Sequence, residues 1–437
     1  MIPADRRQFL AATGSAFAAL LASGCTRIIA NPTGSLTASP YGPLQTDPAG
    51  LLDLPGGFSY RVLSRLGDAM NDGGRVPDRA DGMGCFDLGN GEIALVRNHE
   101  LRASHDAGGD LPRGFDTSED GAILPGGTTT IVLNAATLEV RREFRSLAGM
   151  IRNCAGGTTP WGSWLTCEED VTRAGDGVRR DHGWVFEVPA NASGLIDPAP
   201  IKPMGRFNHE AACVDPVSGI VYLTEDREDS LLYRYVPVSP SNLAAGGRLQ
   251  ALAANRLSDS RNWRGDQIRP GGGTEARWID LDNVESPADD LRLRGAARGG
   301  TLFARGEGIH MGDGELYFCC TSGGAARLGQ IFRLTLPQSG PERLELFFES
   351  NDASQFHYGD NLTVSPNGHL IVCEDQSGDV ATNHLRGITP AGEAYPLGWL
   401  RQETELAGAC WSPDGGVLFV NAYSPTATLA ISGPWVA

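Results

Sequence analysis

NHEAACVDPVSGIVYLTED, residues 208 to 226, reads as an apolar strand, a turn around Gly219 and a second strand that ends in acids. The same unit recurs along the chain. DGMGCFDLGNGEIALVRNHE (81 to 100) and NCAGGTTPWGSWLTCEE (153 to 169) precede it. GEGIHMGDGELYFCCT (306 to 321), GDNLTVSPNGHLIVCED (359 to 375) and ELAGACWSPDGGVLFVNA (405 to 422) follow. The turn glycines of the six copies are Gly91, Gly162, Gly219, Gly314, Gly368 and Gly415, separated by 71, 57, 95, 54 and 47 residues. Those gaps leave room for a second hairpin in each unit. Six four-stranded units of this kind predict an all-β chain, a six-bladed β-propeller. A large β-sandwich would have to repeat the same hairpin six times by accident.

The first strand of a propeller blade lines the central channel, and in an antiparallel hairpin its start lies beside the end of the second strand. The residues that open and close each copy are therefore expected at one channel mouth. They are Asp81, Asn153, Cys154, His209, Glu210, Arg305, Glu307, Asp360, Asn361 and Glu405, joined by Asn98, His99, Glu100, Glu168, Glu225, Asp226, Glu374 and Asp375. So many carboxylates on one rim repel one another unless cations bind. Taken singly, the bland reading of each is ordinary. Cys154 alone would be a buried structural thiol, and Glu210 and Glu307 alone would pair with Arg206 and Arg305. His99 and His209 are read as orienting neighbouring carboxylates rather than holding metal.

Composition narrows the function. Fifty-three acids against thirty-six bases give a formal charge of −17, which argues against a nucleic-acid partner. The nine cysteines lack the regular spacing of a disulfide framework. The sequence has no Gly-x-Ser-x-Gly elbow, P-loop or dinucleotide fingerprint, so a Ser-His-Asp hydrolase or nucleotide-loop enzyme has no support.

The start of the chain reads as an address. Asp5-Arg6-Arg7-Gln8-Phe9-Leu10 precedes an apolar run from Ala11 to Ala22 that is too short to span a bilayer. This is a twin-arginine (Tat) export signal over residues 1–25, which would engage the Tat translocase. Leu21-Ala22-Ser23-Gly24-Cys25 also matches a lipobox, in which Cys25 would carry a lipid anchor. Residues 26–50 read as a linker or wrapping arm and 51–437 as the propeller domain, expected as a monomer in the periplasm or outside the cell, free or membrane-anchored.

Several of these segments carry a resemblance. LPGGFSYRV, DGMG, RNHE, RNCAGGTTPWGSWLTCEED, MGRFNHEAACVDP, VYLTEDREDSLLYRY, FARGEG, DNLTVSPNGHLIVCED, ELAGACWSPDGGVLFVNA and a terminal GPW stand in order from Leu54 to Trp435. In that order they resemble the PhoX-type alkaline phosphatases. The resemblance implies a metal-dependent phosphomonoesterase of the cell envelope, with iron and calcium at the channel mouth. Carried over residue by residue, it implies Cys154 as thiolate ligand of iron, with Glu210 and Glu307 as carboxylate ligands. Asp360, Glu374 and Glu405 follow as candidates on the calcium side. Arg305 would clamp phosphate oxygens, and Asn153 would face the phosphate. Gly306 stands where the family has proline between the arginine and the glutamate, which loosens the backbone beside Arg305. Two other classes fit the residues: a calcium-stabilised propeller that binds a ligand or protein, and another propeller hydrolase such as a lactonase or phosphodiesterase.

Overall fold

The structure, a computed structural model, describes residues 39–376 and 383–435. The export signal, the lipobox cysteine Cys25 and the first part of the 26–50 arm lie outside the described residues.

Each expected hairpin is present. The inner strands are Ala80–Gly89, Asn153–Thr158, His209–Val214, Gly306–Met311, Gly359–Val364 and Leu406–Trp411, in blades one to six. Each pairs antiparallel with the strand that follows it. The six turn glycines all have positive φ, from 72° to 85°, a conformation that costs a residue with a Cβ. The inner strands touch in rotation, one to two and onward to six, and Leu406–Trp411 touches Ala80–Gly89, so the ring closes.

The blades are less uniform than the repeat suggests. The six units form five hydrogen-bonded sheets, because Gly273–Asp280 pairs with both Gly247–Ala254 of blade three and Arg343–Glu349 of blade four. That extra strand and the helix Leu291–Ala297 account for the long gap between the third and fourth copies. Blade two has three strands, with Pro200 bridging Phe186 at its outer edge. Blade six takes its outermost strand, Ser59–Arg65, from the start of the described chain. The stretch just before it adds Leu52–Pro55, and beyond that Leu44–Gln45 of the arm, to the edge of blade five. Within the described part of the arm, Leu44–Gln45 thus lies along the edge of blade five.

The core lies between blades. Alternate residues of a strand point to opposite faces, so each sheet feeds two interfaces. Leu316, Phe318 and Cys320 pack toward blade three, whereas Tyr317 and Cys319 pack toward blade five. The adjacent cysteines Cys319 and Cys320 are thus back to back in separate clusters, and every cysteine among the described residues is a free thiol. The same alternation sends Leu370 and Val372 toward blade four and Ile371 and Cys373 toward blade six.

Candidate active site

All six inner strands carry a β-bulge at the same place. In blade one the register passes from Ala80↔His99 to Met83↔Arg97, three residues against two. The same step recurs after Asn153, His209, Gly306, Gly359 and Ala407. A bulge leaves one residue unpaired and re-aims its side chain. The residue that follows each step is Asp81, Cys154, Glu210, Glu307, Asp360 or Gly408, and the first five are buried. Blade six cannot use its position. A Cβ on Gly408, at φ 63°, would come within 2.3 Å of the Asp81 carbonyl oxygen. It contributes Glu405 from just before the strand instead.

Polar side chains on the preceding blades secure some of the main-chain carbonyls at and beside the bulges. Asn98 Nδ2 donates to the carbonyls of Cys154 and Ala155 at 2.9 and 2.8 Å. Asn421 Nδ2 donates to Asp81 at 2.7 Å, Thr224 Oγ1 to Glu307 at 2.6 Å and Thr321 Oγ1 to Gly359 at 2.9 Å. Groups that the ladder leaves free are satisfied, and the ring is fixed where the site sits.

The acids and the thiol form one chain of neighbours. Ligand atoms of Asp81, Glu100 and Cys154 lie within 4.8 Å of one another, as do those of Cys154, Glu169 and Glu210. Glu210, Glu307 and Asp360 continue the series, and Asp360, Asp375 and Glu405 end it. Cys154 Sγ is 3.6 Å from Asp81 Oδ2 and 3.4 Å from Glu210 Oε1. Burial, reinforced by the neighbouring acids, pushes Asp81, Glu210, Glu307 and Glu405 well above the usual carboxylate range. Asp360 is pushed up to about 7 and Glu169 to about 8, and the thiol of Cys154 rises too. Asp81 Oδ1 is buried without a hydrogen-bond partner among the described residues. Carboxylates, a thiol and an orphaned oxygen at this spacing are a donor set that fits bound cations.

Arg305 stands at this mouth with φ 54°. Asp226 holds it through Nε–Oδ1 at 2.7 Å and Nη2–Oδ2 at 3.1 Å, and Glu307 Oε1 accepts from Nη2 at 2.9 Å. The charge of Glu307, above all, raises its pKa further, so the guanidinium stays ionised. Its aim is therefore set by Asp226 rather than by residue 306, where a Cβ would already meet the Glu225 oxygen at 3.3 Å. Arg79 and Arg152 occupy the same position in blades one and two, again with positive φ. Arg152 pairs with Glu100 and Glu169.

The structure brings Cys154, Glu210, Glu307, Asp360, Glu405 and Arg305 together at one mouth. Glu374 does not join them; it lies with His357 and His384 in a separate group whose ligand atoms are within 4.8 Å of one another. Its carboxylate turns into blade five, where Arg386 Nε reaches Oε1 at 2.7 Å and His384 lies at 3.1 Å. Burial alone would raise Glu374, but the His384 hydrogen bond and the Arg386 charge outweigh it and hold it below its usual value. The next residue, Asp375, is the one that reaches the mouth. Strand alternation is the reason, and it separates Glu168 from Glu169 in the same way. Glu168 accepts from His182 and from the Gly183 and Trp184 amides inside blade two. Asn153 donates from Nδ2 to Thr166 at 2.9 Å inside blade two, leaving its Oδ1 buried without a partner among the described residues. Among the described residues, the rings of His99 and His209 hydrogen-bond no carboxylate. Their rings bond the carbonyls of Asp78 and Gly205.

Asp81, Glu100 and Asp375, expected at the rim though not carried over as metal ligands, belong to the cluster, and Glu169, which was not among the expected rim residues, joins them. Their signal lies in parity: each of the last three directly follows the strand residue opposite an inner-strand start.

Comparison with known proteins agrees with the propeller fold. A family profile described as alkaline phosphatase PhoX matches residues 39–142 and 128–426. Among solved structures, Pseudomonas fluorescens PhoX in complex with vanadate, a transition state analogue, superposes with a TM-score of 0.70 at 19% identity, covering 88% of this chain and 96% of that one. A gluconolactonase from Xanthomonas campestris matches with a TM-score of 0.43 at 12% identity, over 92% of this chain and 99% of that one. No sequence among the curated proteins matches.

Proposed function

The chain belongs to the alkaline phosphatase PhoX family, and from that premise we propose that it hydrolyses phosphomonoesters in the cell envelope with iron and calcium at the propeller mouth. One observation carries the reading: five equivalent bulges deliver Asp81, Cys154, Glu210, Glu307 and Asp360 to the mouth where Arg305 stands. Cys154 is the residue for iron, since a thiolate suits a softer, redox-capable ion. The carboxylates of Glu210, Glu307, Asp360 and Glu405, with Asp81 and Asp375, suit calcium. Bound cations supply positive charge to the transferring phosphoryl group. Asp226 and Glu307 hold Nε and Nη2 of Arg305 and keep the guanidinium from rotating, so that its remaining N–H edge, at Nη1, is aimed at phosphate oxygens. The complex of the Pseudomonas fluorescens protein with vanadate, a transition state analogue, supports a phosphoryl-transfer reading.

Export by the twin-arginine route, from Arg6-Arg7, places the enzyme in the periplasm or beyond, with Cys25 as lipid anchor where the lipobox is used. Among the described residues, no helix is long and apolar enough to cross a membrane.

The test is a substrate panel on protein purified with its native metals: p-nitrophenyl phosphate, bis(p-nitrophenyl) phosphate and a δ-lactone. Turnover of the monoester far above the other two is the expected result. Preference for the diester or the lactone overturns it in favour of another propeller hydrolase. Calcium without iron, and no turnover, favours a binding protein.

A further inference from the structure

The insertion between blades three and four does more than join two sheets. It carries Trp263, and two guanidinium groups lie over that ring, Arg261 with Cζ at 4.1 Å from the centroid and Arg327 at 3.8 Å. Two cations on one ring repel, so each needs compensation. Arg261 has it: Asp259 accepts from Nε at 2.9 Å and from Nη2 at 2.7 Å, and the Glu228 carbonyl accepts from Nη1 at 3.2 Å. Arg327 is different. Its guanidinium donates no hydrogen bond among the described residues, and its one ion pair there is to Glu228 at 4.0 Å, with side chains 52% and 55% exposed. A pair that open to water contributes little.

Arg327 also has φ 57°, a left-handed conformation that a residue with a Cβ adopts at a cost. The ring beneath it is anchored, because Trp263 Nε1 donates to the Ser322 carbonyl at 2.9 Å. An aromatic face that holds a guanidinium close, with its N–H groups unpaired among the described residues, is a preorganised receptor for an oxyanion.

The place of this receptor gives it a use. Cys320 pairs with Gly306, next to Arg305, so the loop after Cys320 rises from the mouth. In that loop the Thr321 amide donates to the Arg305 carbonyl at 3.0 Å and the Gly324 amide to the Arg261 carbonyl at 2.9 Å. The Arg327 amide donates to Gly324 at 3.0 Å. The loop that runs from Thr321, bonded to Arg305, to Arg327 is thus held by main-chain hydrogen bonds at both ends.

We propose that Arg327, held on Trp263, is a second anion subsite that selects phosphomonoesters whose leaving group carries another oxyanion, a phosphate or a carboxylate. This rests on the phosphomonoesterase reading. It makes the enzyme more than a general scavenger: bisphosphorylated and acid-bearing esters are favoured over esters of neutral alcohols.

The test uses the metal-loaded protein and three series of matched chain length. These are α,ω-alkanediol bisphosphates, ω-carboxyalkyl phosphates and ω-hydroxyalkyl phosphates. At one chain length the wild type is expected to show a KM about tenfold lower for a dianionic series than for the hydroxyl series. Which of the first two series gains identifies the anion. Arg327→Ala collapses that ratio toward one, and Arg327→Lys, which keeps charge without a flat fork, gives an intermediate value. Calorimetric binding of alkane bisphosphonates against alkyl monophosphonates repeats the comparison without turnover, so loss of hydrolysis and loss of the subsite are told apart. Equal KM values for all three series, or a ratio that survives in Arg327→Ala, overturn the proposal.

Discussion

Asp226 grips Arg305 with both carboxylate oxygens, Oδ1 at 2.7 Å from Nε and Oδ2 at 3.1 Å from Nη2. A bidentate pair fixes the plane of the guanidinium as well as its position. Asp226→Asn is expected to lower kcat on p-nitrophenyl phosphate on the order of tenfold, with metal content unchanged. Arg305→Lys should fall at least as far. The double variant should be no worse than Arg305→Lys alone, because both changes act through one group. Losses that simply add would show that Asp226 acts elsewhere.

Cys154 sits between Asp81 and Glu210, and its replacement separates metal binding from folding. Cys154→Ser keeps nearly the same volume but offers a hard hydroxyl in place of a thiolate. Iron measured by mass spectrometry and turnover should disappear together, while the melting temperature of metal-free protein stays close to that of metal-free wild type. Wild-type iron in the serine variant would remove the thiolate assignment.

Glu374 and Glu405 predict opposite phenotypes. Removing the charge of Glu374 leaves Arg386 buried and uncompensated, so Glu374→Gln should cost about 3–5 kcal/mol of stability while metals remain. Glu405→Gln relieves repulsion in the metal-free protein and should lose calcium instead. Denaturant melts paired with metal counts on both variants decide the matter.

Metal removal should make stability depend on pH. Folding raises Asp360 to about 7 and Glu169 to about 8, through burial first and neighbouring charge second. Ordinary carboxyls in the unfolded chain titrate near about 4. A raised carboxyl holds its proton more tightly when folded. Its contribution is therefore complete below about pH 4 and is lost as the pH climbs through the raised values. Chelated protein should melt higher at pH 5 than at pH 9, and added calcium should restore the loss at pH 9. A flat profile after chelation would show that the cluster carries no uncompensated charge.

Replacing Arg6 and Arg7 with Lys is expected to hold folded, active protein in the cytoplasm, since the paired arginines are what the translocase reads. Fractionation and activity assays on the two compartments measure it. Cys25→Ala should release membrane-bound enzyme if the lipobox is used; unchanged export of the lysine variant would point to another route.

The fold was legible because each copy of the hairpin states its own turn: Gly91 and its five counterparts sit in the left-handed conformation that the pattern required. The mouth was legible for a related reason, since the start of each copy becomes the start of an inner strand. Individual acids were harder. Glu374 and Asp375 are chemically alike and adjacent, and only the phase of the pleat decides which one faces the channel. The bulge adds a residue to that phase in the inner strands, so Asp81 was legible as the opening of its copy and not from alternation along the strand. Asp226 looked like one more rim acid, whereas it is the partner that aims Arg305. The stack on Trp263 was invisible, because Arg327 reaches it from another blade.

The closure of the ring through Ser59–Arg65 bears on how such a chain is made. That strand pairs with Ala427–Ser432, and beside it the Ala80 amide bonds Thr426 Oγ1 across 346 residues of sequence. During synthesis the early strand leaves the ribosome long before its partner exists. Until blade six emerges the toroid is an open arc, with Ile93, Leu95 and Ile131 of blade one facing water in place of Phe419 and Ala430. Contacts this distant form slowly, and the exposed arc is vulnerable while they wait. A translocase that accepts only finished, compact cargo would let the arc be sealed in the cytoplasm, among chaperones, before the protein leaves.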